Sequence, residues 1–95
     1  MAYTLSRAAR ADLVDIVEYT IDRWGDAQAE KYINDLLRCC AEAGDNPNVG
    51  KSSDDLRNGY RRIHQGRHMI YFRRVGNDVE IVRVLHDRML PGKQL

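Results

Sequence analysis

The sequence predicts a single α+β domain with the element order β-α-α-β-β-β, in which a helical hairpin packs on a twisted, mainly antiparallel sheet. Two observations lead to this fold class. The N-terminal half contains two segments with apolar residues at helical spacing, and the C-terminal third contains three segments rich in β-branched and aromatic residues. A chain of 95 residues has room for one hydrophobic core, so residues 1–95 are expected to form one domain.

Both helices carry recognisable start or stop signals. A short strand should end at Ser6, whose hydroxyl can cap a helix that begins near Arg7. Gly25 is expected to end this helix, Asp26 to cap the second one, and residues 44–47 to stop it. With about one linking residue, the helices must fold back as a hairpin. Their apolar stripes are Ala9, Leu13, Ile16, Val17, Thr20 and Trp24, and then Ala29, Tyr32, Ile33, Leu36, Leu37 and Cys40.

Three strand-like segments follow a polar loop that runs from Asn46 to Asp55: GYRRIH, HMIYFRRV and DVEIVRVLH. The turn pairs Gln65-Gly66 and Gly76-Asn77 separate them, which predicts an antiparallel meander. The N-terminal strand at residues 3–5 can join an edge of this meander. The expected result is a sheet of about four strands with the helical hairpin on one face.

Charge is divided unevenly along the chain, although the formal net charge is only +1. Residues 1–56 contain six basic and eleven acidic residues, whereas residues 57–88 contain eight arginines and three acidic residues. An arginine-rich surface attracts nucleic acid or an acidic protein, and charge alone does not distinguish the two. The alternative is that the two halves neutralise each other within the fold.

Several classes of protein are disfavoured. No apolar run approaches the ~20 residues of a membrane span, and no secretory signal is present, so a cytoplasmic protein without membrane contact is expected. Cys40 is expected in the core and Cys39 partly exposed, with no disulfide between these neighbours. Three histidines lack accompanying ligands at metal-site spacing, so neither a metal nor another cofactor is expected. The sequence contains neither a nucleophile elbow nor a phosphate-binding glycine loop, so a metabolic enzyme is not expected.

Two kinds of site are compatible with the arginine-rich segment. Acid–base cleavage of RNA needs a proton acceptor, a proton donor and cations, which Arg62, Arg83 and His86 could supply. Regular alternation would place Arg83 and His86 on opposite faces, unless the last strand ends or bulges before His86. The other kind is a binding surface built from arginines and aromatic residues. Its candidates are Arg61, Arg62, Arg67, Arg73, Arg74 and Tyr71.

Four stretches in order along the chain carry a recognisable pattern: LSRAARADLVDIVEY, WGDAQAEKYINDL, NPNVGKSSDDLRNGYRRIHQGRHMIYFR and IVRVLHDRM. Their most specific parts are Trp24-Gly25 with Gln28-Ala29, the loop from Pro47 to Gly50, Leu56-Arg57 with Gly59-Tyr60-Arg61, and Arg83-Val84-Leu85-His86. Together these motifs resemble the ParE toxins of bacterial toxin–antitoxin systems, within the ParE/RelE superfamily. The resemblance covers nearly the whole chain and implies the same β-α-α-β-β-β fold.

The resemblance also implies a function and two partners. A ParE toxin inhibits DNA gyrase by binding, without chemistry of its own, until a ParD-like antitoxin masks it. The residues expected to bind gyrase are Arg83, His86, Arg88 and Met89. The residues expected to contact the antitoxin, which should lie over the helical hairpin and sheet, are Tyr19, Trp24, Tyr60 and Tyr71. No direct sequence-specific binding to DNA is expected.

RelE-like relatives provide the main alternative, because they share the fold and cut messenger RNA on the ribosome. That function would make Arg62, Arg83 and His86 catalytic. The nearly balanced charge, the presence of only three lysines and the absence of a tyrosine after His86 favour ParE. ParE sequences commonly have an acidic residue after the tail methionine, whereas Leu90-Pro91-Gly92 follows Met89 here. This departure leaves open weaker toxicity, a different target or a non-toxic ParE-like binding protein.

Overall fold

The protein, described for residues 2–95 by a computed structural model, contains a five-stranded mixed sheet with a helical hairpin on one face. The elements are β1 (Tyr3–Leu5), α1 (Arg7–Trp24), α2 (Asp26–Asp45), β2 (Lys51–Ser52), β3 (Tyr60–Gln65), β4 (His68–Val75), β5 (Asp78–His86) and a short 3₁₀ turn (Pro91–Lys93). The strand order is β1-β5-β4-β3-β2, with β1 parallel to β5 and the other pairs antiparallel. The predicted α+β class and order of elements are confirmed, with β2 as an additional strand inside the predicted loop.

The ends of α1 follow from two residues that the sequence singled out. The Ser6 hydroxyl accepts a hydrogen bond from the Ala9 amide at 2.9 Å and donates one to the Val82 carbonyl of β5 at 2.7 Å. Gly25 has a φ of +89°, which favours glycine, and its amide donates to the Ile21 carbonyl at 2.9 Å. Ser6 therefore starts the helix and also fastens that start to the sheet.

The start of α2 differs from the prediction. Asp26 is the first residue of the helix, not its cap; Gly25 takes the cap position, and no side chain caps this end. The two helices share one glycine as their junction, which leaves no separate position for a capping side chain. Asp26 instead places a negative charge in the first turn, where the helix dipole favours one.

The core lies between the helical hairpin and the sheet. Cys39 and Cys40 are both free and buried, with 6% of Cys39 exposed, so the expectation of a partly exposed Cys39 is wrong. Its thiol lies against β3, 3.5 Å from Oε1 of Gln65. Trp24 does not join the stripe of α1, since it is the last residue before the chain reverses and is 70% exposed. The core cluster comprises Ala9, Leu13, Ile16, Leu36, Cys39, Cys40, Ala43, Ile70, Phe72, Val79, Ile81 and Val84.

The ladder between β4 and β5 is irregular near the predicted site. Tyr71 is paired with Arg83, but the next residue, Phe72, is paired with Ile81. Val82 therefore has no partner across the ladder and forms a bulge in β5.

This bulge changes which side chains of β5 face the helices. Ile81 and Val84 both belong to the core cluster, although a regular strand would place them on opposite faces. His86 lies on the same side as Val84, since the alternation resumes after the bulge. Tyr71 and Leu85 lie on the other face and are nonetheless 5% and 2% exposed.

Candidate functional site

Most of the residues predicted to bind the target lie where β5 ends and the chain turns. The Met89 amide donates to the His86 carbonyl at 2.9 Å, which closes a tight turn. Arg88 is exposed, and Met89 and Leu90 are 40% and 66% exposed. We call residues 86–90 the C-terminal corner. It presents a cation and two apolar side chains to solvent.

Arg83, by contrast, is engaged with other parts of the protein. Its Nε and Nη2 donate to the two carboxylate oxygens of Asp12 on α1, each at 2.8 Å. Its Nη1 donates to the backbone carbonyl of Gln94 at 3.3 Å. The hydrogen bond to Asp12 raises the pKa of the Arg83 guanidinium above its ordinary value. With 20% of its side chain exposed, Arg83 joins α1, β5 and the C-terminal residues and offers little surface to a partner.

Asp12 also accepts a hydrogen bond in addition to this ion pair. Its Oδ2 also accepts a hydrogen bond from the Val84 amide at 2.9 Å. The partner strand β1 reaches only as far as Ile81, so this amide lies on a part of β5 that β1 does not cover. The carboxylate therefore satisfies an edge amide and an arginine together, and its side chain is 13% exposed.

Two further histidines, His64 and His68, contact the C-terminal corner at Asp87 and His86. The rings of His68 and His86 meet edge to face, with 5.5 Å between centroids. Asp87 lies between two of the three histidines, with Oδ2 3.5 Å from Nε2 of His64 and Oδ1 3.3 Å from Nδ1 of His86. The Arg88 amide lies 3.1 Å from the same Nδ1 and donates to it when Nδ1 carries no proton. Burial lowers the pKa of His68, and His86 acts in the same direction.

Tyr32 of α2 packs against this cluster from the helical side. Its hydroxyl lies 2.6 Å from Nδ1 of His68, accepts a hydrogen bond from the Arg67 amide at 3.1 Å and lies 3.2 Å from the Gln65 carbonyl. The ring covers Gly66, where an added Cβ would come within 2.7 Å of it. Helical periodicity placed Tyr32 in the apolar stripe but carried no signal for these contacts.

The register of the sheet places Arg62 and Arg83 on either side of Tyr71, but the three residues of the ribonuclease alternative are engaged with different partners. Nη1 of Arg62 donates to the Ser52 carbonyl at 2.6 Å and to the Ser53 hydroxyl at 2.9 Å. Arg83 is held by α1, and His86 contacts His68. Each of the three is therefore engaged with a different part of the fold. Among residues 2–95, no group of histidine, cysteine and acidic side chains is arranged to hold a metal ion.

The other arginines of the predicted binding surface divide into engaged and exposed groups. Arg61 donates to carbonyls of the loop between α2 and β2, including that of Asn48 at 2.7 Å, and Arg73 pairs with Glu80 at 2.9 Å. Arg67 and Arg74 are exposed, and neither forms an ion pair within the described part of the chain. The excess of arginine in the sequence therefore overstates the cationic charge available to a partner.

The four aromatic residues predicted to contact the antitoxin differ in exposure. Tyr19 and Trp24 on α1 are 59% and 70% exposed. The guanidinium of Arg23 lies over the Tyr19 ring, 5.2 Å from its centroid. Tyr60 is half-buried, and Tyr71 is 5% exposed. Only the two residues on α1 therefore offer large aromatic surfaces to a partner.

An open apolar groove of about 300 Å³ runs along the helical hairpin on its solvent side. Val14 is 53% exposed there. The apolar lining residues are Leu13, Val14, Val17, Ile33 and Leu37, with Arg10 and Glu18 also at the groove. Val14 lies outside the stripe predicted for α1, and its addition makes the apolar face wider than the sheet covers.

No helix in the described residues is long and apolar enough to cross a membrane.

Comparisons with known proteins give relatives over nearly the whole chain. A family model described as the ParE toxin of the type II toxin-antitoxin system, parDE, matches residues 3–91. The chain is 45% identical over 87 residues to Toxin ParE1 of Caulobacter vibrioides and 43% identical over 88 residues to Toxin ParE1 of Mycobacterium tuberculosis. Each alignment covers 92% of this chain and 90% of the relative.

More distant matches extend the same picture. The chain is 33% identical over 89 residues to Toxin ParE of Escherichia coli, covering 93% of this chain and 86% of that one. A solved chain titled chromosomal ParDE TA system from P. aeruginosa has a TM-score of 0.76 at 23% identity. That match covers 90% of this chain and 95% of the other, and it shows a likeness of fold.

Proposed function

Because the chain belongs to the ParE toxin family of type II toxin–antitoxin systems, we propose that it inhibits DNA gyrase by binding and that a ParD-like antitoxin neutralises it. The observation that carries the gyrase proposal is the exposed C-terminal corner on a firmly held strand end. Gyrase acts on chromosomal DNA, so the proposal also places the protein in the cytoplasm.

The C-terminal corner supplies the contacts in this proposal. Met89 and Leu90 offer apolar surface, while His86 and Arg88 add polar and cationic groups beside it. Methionine and arginine are both enriched at protein–protein interfaces relative to the rest of the surface. Leu90, which departs from the acidic residue common in the family, enlarges the apolar part of this surface. Arg83 contributes indirectly, because its contacts with Asp12 and Gln94 hold the strand end.

Inhibition by binding fits the geometry better than RNA cleavage does. A general base and its cationic partners must lie within hydrogen-bond reach of one substrate position. Arg62 and Arg83 each donate hydrogen bonds to other parts of the fold, Arg62 to Ser52 and Ser53 and Arg83 to Asp12. The arrangement therefore favours a surface for docking over a site for proton transfer.

The groove on the helical hairpin is the proposed site for the antitoxin. Its apolar lining suits one face of an amphipathic helix, which is a recurrent way for a partner to bind a groove. Exposed Tyr19 and Trp24 extend the apolar surface along α1. An acidic extended segment of the same antitoxin can then follow the exposed arginines of the sheet, since opposite charges favour that path.

The direct test is supercoiling of relaxed plasmid by purified gyrase, with and without this protein. Cleavage of a ribosome-bound message is measured with the same preparation. The proposal expects loss of supercoiling, an intact message and recovery of supercoiling when the antitoxin is added. Normal supercoiling together with a cleaved message would contradict it and would support the ribonuclease alternative.

A further inference from the structure

We propose that Tyr32 is a positioning residue for gyrase binding, because its hydroxyl holds the turn between β3 and β4 on which the C-terminal corner rests. The proposal rests on the function proposed above for that corner. Tyr32 itself lies on α2, outside the corner, and therefore acts through the residues between them.

The hydroxyl of Tyr32 lies within hydrogen-bond distance of three partners. A phenolic hydroxyl offers one donor and two acceptor positions. It accepts from the Arg67 amide, and it faces Nδ1 of His68 and the carbonyl of Gln65. When Nδ1 of His68 carries no proton, the hydroxyl donates to it. When Nδ1 carries a proton, the ring donates to the hydroxyl, which then donates to the Gln65 carbonyl, so a hydrogen bond joins Tyr32 and His68 in both cases.

The turn passes this restraint directly to the C-terminal corner. The carbonyl of Arg67 accepts a hydrogen bond from the Asp87 amide at 2.8 Å. The ring of His68 lies against the ring of His86. Asp87 and His86 therefore each contact a residue, Arg67 or His68, that is hydrogen-bonded to the Tyr32 hydroxyl. Arg88 follows immediately, and its amide is tied to Nδ1 of His86.

The fit at this contact leaves little room for a substitute. Gly66 has a φ of +58°, and the Tyr32 ring occupies the space that a side chain at Gly66 would need. The other side-chain hydrogen bond from α2 to this region is weaker, from the Cys39 thiol to the Gln65 side chain at 3.5 Å. Removal of the Tyr32 hydroxyl would leave the Arg67 amide and Nδ1 of His68 without a partner, while the remaining ring would still cover the turn.

The test compares Tyr32→Phe with the matched control Tyr3→Phe. Tyr3 also packs against the core, but its hydroxyl makes no hydrogen bond to another residue in the range 2–95. For Tyr32→Phe, half-inhibition of gyrase should require about tenfold more protein, the loss expected for two ordinary hydrogen bonds. Affinity for the antitoxin should stay within about twofold of wild type, a negligible change in free energy. Tyr3→Phe should leave both unchanged.

A second readout does not depend on gyrase. Exchange of the Asp87 and Arg88 amide protons, followed by NMR, should be faster in Tyr32→Phe than in wild type and unchanged in Tyr3→Phe. Unchanged exchange, full gyrase inhibition by Tyr32→Phe, or an equal loss of gyrase and antitoxin binding would each overturn the positioning role. If wild type fails to inhibit gyrase but Tyr32→Phe accelerates exchange, the proposed target is wrong while the structural link to the corner stands.

Discussion

The two helices are fastened to the sheet near the C-terminal corner by different kinds of contact. α1 uses a charged pair, in which Asp12 binds both Arg83 and an edge amide of β5. α2 uses a neutral hydroxyl, with Tyr32 bound to a turn and a histidine. A charged pair in a partly buried setting fails severely when one member is lost, since the other keeps its charge. Loss of a neutral contact costs less free energy, and protonation of His68 changes which atom donates in this contact.

The largest effect on stability is expected from Asp12→Ala. This change leaves a largely buried guanidinium and the Val84 amide without their shared acceptor. We expect the free energy of unfolding to fall by about 2 kcal/mol, less than for a fully buried pair because both side chains remain partly exposed. Urea unfolding measures the change. Glu80→Ala removes the exposed pair with Arg73 and serves as the control, with an expected loss of about 0.5 kcal/mol.

An equal loss of stability from Asp12→Ala and Glu80→Ala would contradict the larger effect expected for the contact between α1 and the sheet. It would mean that the Asp12 carboxylate stabilises the fold no more than a solvated surface pair does.

A smaller difference between variant and control is expected at the turn beneath Tyr32, where Gly66→Ala is compared with Gly76→Ala. Both glycines have positive φ, +58° and +62°, but only Gly66 would place its new Cβ against another side chain, that of Tyr32. Gly76→Ala should cost about 1 kcal/mol through backbone strain alone. Gly66→Ala should cost about 1 kcal/mol more, because the ring must move. Equal losses in thermal unfolding would show that the contact with Tyr32 is loose.

The smallest effect is a change of stability with pH at the contact between Tyr32 and His68, which the ion pair between Asp12 and Arg83 should not share. Burial, followed by His86, lowers the pKa of His68 below its ordinary value of 6.5, while Asp87 and Asp12 oppose this. The unfolded chain therefore binds this proton more readily than the folded chain. The contribution to stability is fully present above 6.5 and is lost as the pH falls from 6.5 toward the lowered value.

This pH dependence is measurable by comparing urea unfolding at about pH 7.5 and about pH 5.5, on either side of an ordinary histidine pKa. Wild type should lose more stability on acidification than His68→Gln. The control is His64→Gln, whose imidazole is 55% exposed. It should keep the dependence of wild type, and a loss of that dependence in both variants would point to the histidine cluster as a whole.

Much of the fold was predictable because its signals are local. Ser6 and Gly25 define the two ends of α1 through hydrogen bonds to residues three and four positions away. Turn pairs separate β3, β4 and β5. β2 escaped prediction because it has two residues within a polar loop and is defined only by its pairing with β3. The bulge at Val82 has no local signal either, since it is a property of two paired strands.

The site was less predictable because its contacts join distant residues. Arg83 and Asp12 are separated by 71 positions, and Tyr32 and His68 by 36. From the sequence, Asp12 belongs to the polar face of a helix and Tyr32 to an apolar stripe, and neither pattern indicates a tie to the sheet. Arg83, named from its motif as a gyrase contact, has its donors occupied within the protein. Three-dimensional contacts therefore decide which of the residues named from the sequence remain exposed for a partner.

The proposed roles of the two surfaces are best tested by gyrase inhibition with a corner variant carrying His86→Ala, Arg88→Ala and Met89→Ala, beside the groove variant Val14→Glu. Arg83 is left intact so that the strand end stays in place. We expect the corner variant to bind the antitoxin but no longer to inhibit supercoiling, whereas Val14→Glu should inhibit supercoiling but be poorly neutralised. If a folded corner variant inhibits gyrase as wild type does, the C-terminal corner is not the gyrase-binding surface.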